Sequence, residues 1–195
     1  MVEWNWRIFF KKINNMYLNI ITPCSRPENL LKISDSINIP IKNYRWIIVC
    51  DSESLPDINL IPKNCEIYCH RDLESISGNS QRNYAIDMVK DGHIYFNDDD
   101  TIIHSDLWNN IKDLENDVIS FAQCHKNGQL RLYGNLIKLG HIDSHNFIYN
   151  HSIAQELKWI KNRYDADGIF AEIVYSRAKN PIYINKVLSV YNCLR

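Results

Sequence analysis

The apolar positions of this chain fall into two rhythms. Compact apolar runs at Tyr17 to Thr22, Tyr44 to Cys50, Glu66 to His70 and His93 to Phe96 read as buried strands, because a strand covered on both faces needs no polar alternation. Between them the apolar residues return at three and four. Leu30, Leu31, Ile33 and Ile37 give one helical face, and Tyr84, Ala85, Met88 and Val89 give another. Ser25 and Glu28 have capping-box spacing with Pro27 in the first turn, so the first helix is predicted to begin there. Gly78 to Asn83 opens the second helix, and Gly92 is predicted to stop it. Leu55 to Lys63, with Pro56 and Pro62, reads as a loop.

Further along, Ser105 is predicted to cap a helix to about Leu114, and Asp117 to Gln123 reads as a strand. Lys126-Asn127-Gly128-Gln129 is a hairpin signal, with Leu130 to Leu139 pairing back. Ile142 to Phe147 leads into another strand, and Ser152 is expected to cap a helix ending near Lys161. A helix over Ile169 to Arg177 and a strand over Pro181 to Tyr191 close the chain. Regular β/α alternation followed by a mixed half predicts an α/β fold with one mixed sheet and helices on both faces. The pattern contains no internal repeat and no linker, so residues 16–195 are expected to form a single domain. Residues 1–15 mix Trp4, Trp6, Phe9 and Phe10 with Arg7, Lys11 and Lys12, and are expected to be a short packing arm rather than a membrane-surface helix.

Composition narrows the function. A net charge of −1 leaves no basic footprint for nucleic acid. No apolar run approaches the length that spans a bilayer. The six cysteines are scattered, and Cys65 and Cys69 have no second pair with zinc-like spacing. Scattered thiols without a secretory leader make the cytoplasm the expected location.

The chemistry concentrates at His93-Ile94-Tyr95-Phe96-Asn97-Asp98-Asp99-Asp100, where an apolar strand runs into three consecutive carboxylates. Such charges repel unless something positive sits among them, and hard carboxylate oxygens suit Mg²⁺ or Mn²⁺. The carboxyl ends of strands in an open α/β sheet are also where ligands bind. Arg82 lies in the first turn of its helix, where a cation opposes the helix dipole, so a phosphate or the acidic triplet is its expected partner. The helix start after Thr22-Pro23-Cys24-Ser25-Arg26 can hold an anion but lacks the glycines of a phosphate loop. Asp51, ending the second strand, could read a ribose hydroxyl or a base N–H, or be a turn aspartate.

Four stretches resemble the nucleotide-sugar glycosyltransferases of the GT-A fold, and among them the glucuronyltransferase-type inverting enzymes: Ile21-Thr22-Pro23 with Ser25-Arg26-Pro27; Gly78 with Gln81-Arg82-Asn83; Tyr95-Phe96 with Asp98-Asp99-Asp100, similar to the DxD motif; and Ile142-Asp143 with Phe147. The resemblance implies a metal-dependent transfer of sugar from a nucleoside-diphosphate sugar, UDP-sugar favoured, to a hydroxyl of a glycan or glycoconjugate acceptor. It implies that Asp98, Asp99 and Asp100 hold nucleotide and metal (Mn²⁺ or Mg²⁺), with Asp100 and Asp98 as ligands. Thr22, Pro23, Ser25, Arg26 and Asp51 would line the nucleoside pocket, Arg82 would face the diphosphate, and Asp143 and His145 would touch the donor sugar. Asp167, directly before the Gly168-Ile169-Phe170 helix start, matches the catalytic base, with Asp165 as fallback. The chain departs from those enzymes near Tyr191-Asn192, where a late histidine is replaced, and in shorter acceptor loops, so the donor sugar is not carried over. A module of a larger glycan-assembly protein is compatible with this reading. The rivals are a sugar nucleotidyltransferase, for which the loop after Thr22 lacks the glycine- and base-rich character, and a nucleotide-sugar-binding module without catalysis.

Overall fold

The structure is a computed structural model that describes residues 16–195; the arm expected over residues 1–15 lies outside the described residues. In chain order, β1 (Leu18–Cys24) passes through a 3-10 turn (Pro27–Asn29) into α1 (Leu30–Ser36), then β2 (Tyr44–Cys50), β3 (Glu66–Cys69), α2 (Asn79–Ile86) and β4 (His93–Phe96). The second half runs α3 (Leu107–Ile111), β5 (Val118–His125), β6 (Leu130–Leu132), β7 (Phe147–Asn150), α4 (Ala166–Arg177) and β8 (Pro181–Tyr191). Among the described residues the eight strands form one mixed sheet in the order β3-β2-β1-β4-β7-β5-β6, with β8 paired to β5.

The strand order places the functional cleft. β1 pairs in parallel with β2 on one side and with β4 on the other. The chain builds β2 and β3 outward from β1, then returns through α2 to lay β4 on β1's opposite edge. Connections therefore leave β1 and β4 in opposite directions, and a crevice opens at their carboxyl ends. The expected mixed sheet, helices on both faces, is what the structure contains.

Alternation through the central strands divides the core in two. Leu18, Ile20, Trp46, Ile48 and Tyr95 point to the face covered by α1 and α3, where they meet Leu30, Ile33, Leu107 and Ile111. Ile21, Ile47, Val49, Ile94 and Phe96 point to the other face, where α2 and α4 supply Ala85, Ile86, Phe170 and Val174. Burial on both faces explains why these strands carry continuous apolar runs.

Several local expectations are corrected. Ser25 does not cap a helix: its backbone N–H and hydroxyl both donate to Asp99 instead (2.6 and 3.0 Å). Ser105 is likewise no cap, because Asp106 holds the N-cap position and the helix covers only Leu107–Ile111. The strand after the hairpin ends at Leu132, because Gly134 (φ +74°) turns away; a Cβ there would lie 2.1 Å from the Phe121 carbonyl oxygen. No helix forms from Ser152 to Lys161. The Asn150 side chain takes the Ser152 N–H into a single 3-10 turn (3.0 Å), and α2 side chains satisfy the backbone further on. Asn83 accepts from the Trp159 N–H (2.7 Å) and donates to its carbonyl (2.9 Å), while Asn79 Nδ2 donates to the carbonyls of Ile160, Lys161 and Arg163 (3.0, 3.3 and 2.9 Å). These amides replace the i→i−4 bonds a helix would have made.

Candidate active site

The first half of α2 breaks the rule that buried helix faces are apolar. Asn79, Ser80, Gln81 and Arg82 are all buried, ahead of the apolar Ala85 and Ile86. The helix starts at Gly78 in the left-handed region (φ +74°), where an added Cβ would stand 2.6 Å from the Pro23 Cβ. Only glycine lets α2 press this closely on the loop after β1. Gln81 Nε2 then donates to Asp51 Oδ1 (3.2 Å) and to the His70 carbonyl (2.7 Å), fixing the carboxylate at the end of β2.

The acidic triplet after β4 lies in a cage of cations. Asp98 is paired with Arg82 (2.5 Å) and lies 3.1 Å from His145 Nε2. Asp99 accepts from the Ser25 and Arg26 N–H groups and from the Arg26 guanidinium. Asp100 Oδ2 contacts Arg26 Nη1 (3.0 Å) and Arg195 Nε (2.7 Å). Asn192, in the amide orientation that suits its neighbours, donates to Asp100 Oδ1 (3.3 Å). Its φ of +47° is one asparagine tolerates, and it lets the chain after β8 fold over the triplet, where the Leu194 N–H bonds the Asp100 carbonyl (2.9 Å).

A row of alternating charge crosses the cleft floor: Arg131, Asp143, His145, Asp98, Arg82. Arg131 Nη1 donates to Asp143 Oδ2 (2.8 Å), and its guanidinium lies 3.8 Å from the centre of the Tyr191 ring. His145 Nδ1 stands 2.9 Å from Asp143 Oδ1. Neither ring nitrogen of His145 is aligned for a good hydrogen bond, so its coupling to the two carboxylates is mainly Coulombic. At the far end the Arg82 guanidinium lies 4.6 Å from the Trp159 ring centre, and Trp159 is stacked on Phe170. Burial alone would discharge such groups, but each has its counter-charge. Against the burial cost, Arg82 and His145 hold the Asp98 pKa well below the carboxylate range. Against the same cost, His145 and Arg131 bring Asp143 down to about 2. Burial would strip the proton from His145, but Asp98 and Asp143 keep its pKa far above the ordinary value. For Asp99 burial prevails over the Ser25 and Arg26 donors and its pKa is raised.

Asp167 is different. Burial, and then the charge of Asp143, push it up to about 6. It forms no ion pair among the described residues; its one bond is from the Gly168 N–H (2.7 Å). It sits in the first turn of α4 and lines the same cleft of about 470 Å³ as Pro23, Ser25, Arg26, Asp51, Arg82, the triplet, Asp143 and His145. Asp165 also reaches the cleft but is held by both nitrogens of a fork from Arg163 (2.7 and 2.6 Å). Thr22 does not reach it: the side chain is fully buried, and its hydroxyl accepts from Trp46 Nε1 (2.9 Å). Arg131, Trp159, Tyr164 and Arg195 line the cleft without having been singled out from the sequence.

Among the described residues no three His, Cys, Asp or Glu side chains converge as a ready-made metal cage. Asp98 has both oxygens committed to Arg82 and His145. Asp100 is held by Arg26 and Arg195, whose side chains are partly exposed. The donor set therefore fits a hard cation at Asp100 only if a ligand brings further oxygens.

No family model and no curated protein matches the chain. Solved structures do. The crystal structure of S. aureus TarS 1-349 aligns with a TM-score of 0.73 at 15% identity, over 90% of this chain and 60% of that one. TarS 1-349 in complex with UDP-GlcNAc aligns with a TM-score of 0.73 at 16% identity, over 90% and 58%. The mannosyltransferase PcManGT from Pyrobaculum calidifontis, in complex with GDP-Man and Mn²⁺, aligns with a TM-score of 0.67 at 11% identity, over 91% and 57%. The chain thus spans less than two thirds of the chains it resembles. At these identities the likeness establishes the architecture: the chain has the GT-A fold of glycosyltransferases.

Proposed function

We propose that this chain transfers a sugar from a nucleoside-diphosphate sugar, UDP-sugar first, to a hydroxyl of a glycan acceptor, with inversion and with Mn²⁺ or Mg²⁺ as cofactor. The observation that carries the reading is the pairing of two unlike carboxylate sites in one cleft: a triplet caged by cations, and Asp167, without an ion-pair partner among the described residues and pushed up to about 6. Solved GT-A structures in complex with UDP-GlcNAc and with GDP-Man and Mn²⁺ support the donor class.

In this reading the nucleoside lies along Pro23, Ser25, Arg26 and Asp51, and Asp51, steadied by Gln81, accepts from the base N–H. Arg82, Arg26 and Arg195 face the diphosphate, on which negative charge grows as the sugar leaves. When bound, the metal neutralises part of that charge, and Asp100 and the diphosphate oxygens would hold it. Arg26 and Arg195 move from Asp100 onto phosphate oxygens. Asp143 and His145 border the sugar. Asp167 accepts the acceptor hydroxyl's proton as that oxygen attacks the anomeric carbon from the face opposite the leaving group. Asp165, neutralised by Arg163, is the weaker base.

A thermal-shift screen of UDP-, GDP- and TDP-sugars with and without Mn²⁺ tests this. A metal-dependent rise with UDP-sugars is expected, lost in Asp100→Ala. Asp167→Ala should keep the rise and lose transfer; transfer at full rate would overturn the base assignment. The second reading, binding without transfer, is favoured by the hold of Arg26 and Arg195 on Asp100. It wins if donors stabilise the fold and none is turned over.

A further inference from the structure

The reading above names a glycan acceptor but not the residues that hold it, and the walls around Asp167 bear on them. Tyr164 is 83% exposed although it lines the cleft three residues before Asp167. Its backbone is fixed on both sides. Asn79 Nδ2 bonds the Arg163 carbonyl (2.9 Å), and the Arg163 guanidinium grips Asp165. An aromatic ring on an anchored backbone, with no stacking or hydrogen-bond partner among the described residues, is a preformed flat surface.

A second apolar side chain lines the same cleft. Leu139, 44% exposed, is pinned to α4 by its N–H, which donates to Glu172 Oε1 (2.8 Å). It is packed so tightly on the helix start that a Cβ on Gly168 would lie 2.7 Å from Leu139 Cδ1. Gly168 directly follows Asp167, and Leu139 and Asp167 line the same cleft. The segment leading to Tyr164 is also tied to the loop before α2, where the Ile76 N–H bonds the Lys161 carbonyl (3.0 Å). Exposed apolar surface gathered around a polar cleft marks a ligand groove.

Resting on the glycosyltransferase reading, we infer that Tyr164 and Leu139 form the acceptor subsite and that the acceptor group is a pyranose ring, its C–H face laid on Tyr164 and a hydroxyl turned to Asp167. A pyranose suits this slot because it presents an apolar face and a hydroxyl edge at once. A linear polyol phosphate lacks the flat face that an aromatic ring stacks on. An aliphatic alcohol would match the apolar walls but leave the Tyr164 hydroxyl unused.

Saturation-transfer NMR on the full chain tests the assignment, with methyl β-D-glucopyranoside, methyl β-D-galactopyranoside and methyl α-D-mannopyranoside as probes and glycerol 3-phosphate and 1-octanol as controls. UDP and Mn²⁺ are present throughout. At least one pyranoside should be saturated most strongly at ring C–H protons of one face. Tyr164→Ala should weaken that binding at least tenfold and Tyr164→Trp should retain it; melting temperatures confirm that both variants fold. Equal pyranoside binding by Tyr164→Ala, or preference for glycerol 3-phosphate or octanol, overturns the assignment. The donor reading is scored separately by UDP affinity. If UDP fails to bind, that reading falls, and the Tyr164 dependence of pyranoside binding still decides whether the platform exists.

Discussion

At the scale of single residues, Asp167 and Arg82 make opposite predictions. Asp167 is protonated below about pH 6 and cannot accept a proton there, so transfer should rise with pH, reach half-maximum near 6 and level off above 7. Asp167→Asn should lower the rate about 10²- to 10⁴-fold above pH 7, with the difference from wild type shrinking below about pH 6, measured as acceptor-dependent nucleotide release. The same change should stabilise the fold. The pKa of Asp167 in the folded chain lies above the ordinary 3.8, so between 3.8 and about 6 the unfolded chain loses its proton first and stability falls as pH rises. Asparagine has no such loss. Asp167→Asn should therefore be more stable than wild type at pH 7 by about 1–2 kcal/mol in urea titration, and equal to it near pH 4. Arg82 is the reverse case. Arg82→Met leaves Asp98 with a severed buried partner and should cost about 3 kcal/mol or more. Arg82→Lys restores charge but not the planar stack on Trp159, and should recover stability more fully than nucleotide affinity.

At the scale of elements, what could be read from the sequence followed locality. The triplet was legible because an apolar run and three carboxylates are adjacent in the chain, and Arg82 because a cation at a helix N-terminus is out of place. Asp167 was singled out by a helix start expected just after it; α4 begins one residue before it, at Ala166, so the carboxylate lies in the first turn. The partners that complete the site were not legible. Arg131 meets Asp143 from a hairpin strand, and Arg195 meets Asp100 from 95 positions away, separations that carry no periodic signal. Ser25 had the spacing of a cap, but the buried Asp99 carboxylate was the stronger acceptor. The helix expected from Ser152 failed because Asn79 and Asn83, on another element, took its backbone groups. The contact of α2 with the β1 loop gives a test at this scale. Gly78→Ala meets both a positive φ and the Pro23 Cβ, so it should cost about 1–3 kcal/mol and weaken nucleotide binding, read by calorimetry alongside denaturant unfolding.

At the scale of the whole molecule, the sheet divides the work. The face bearing α1 and α3 is core, with Trp46, Tyr95 and Phe121 fully buried, and the aromatic group of Phe96, Trp159 and Phe170 anchors the other face beneath the cleft. Side chains of α2 bridge the two banks of that cleft, Asn83 holding Trp159 and Asn79 the residues beyond it. Asn79, at the helix start whose Arg82 would face the diphosphate, grips three carbonyls of the segment that carries Tyr164 toward Asp167. A donor that tightens α2 must therefore steady the far bank as well. Substrates should then add in sequence, donor leading, with initial-rate plots intersecting and a dead-end acceptor analogue uncompetitive against the sugar nucleotide. Cutting the tether with Asn79→Ala and Asn83→Ala together should turn that compulsory order into a random one.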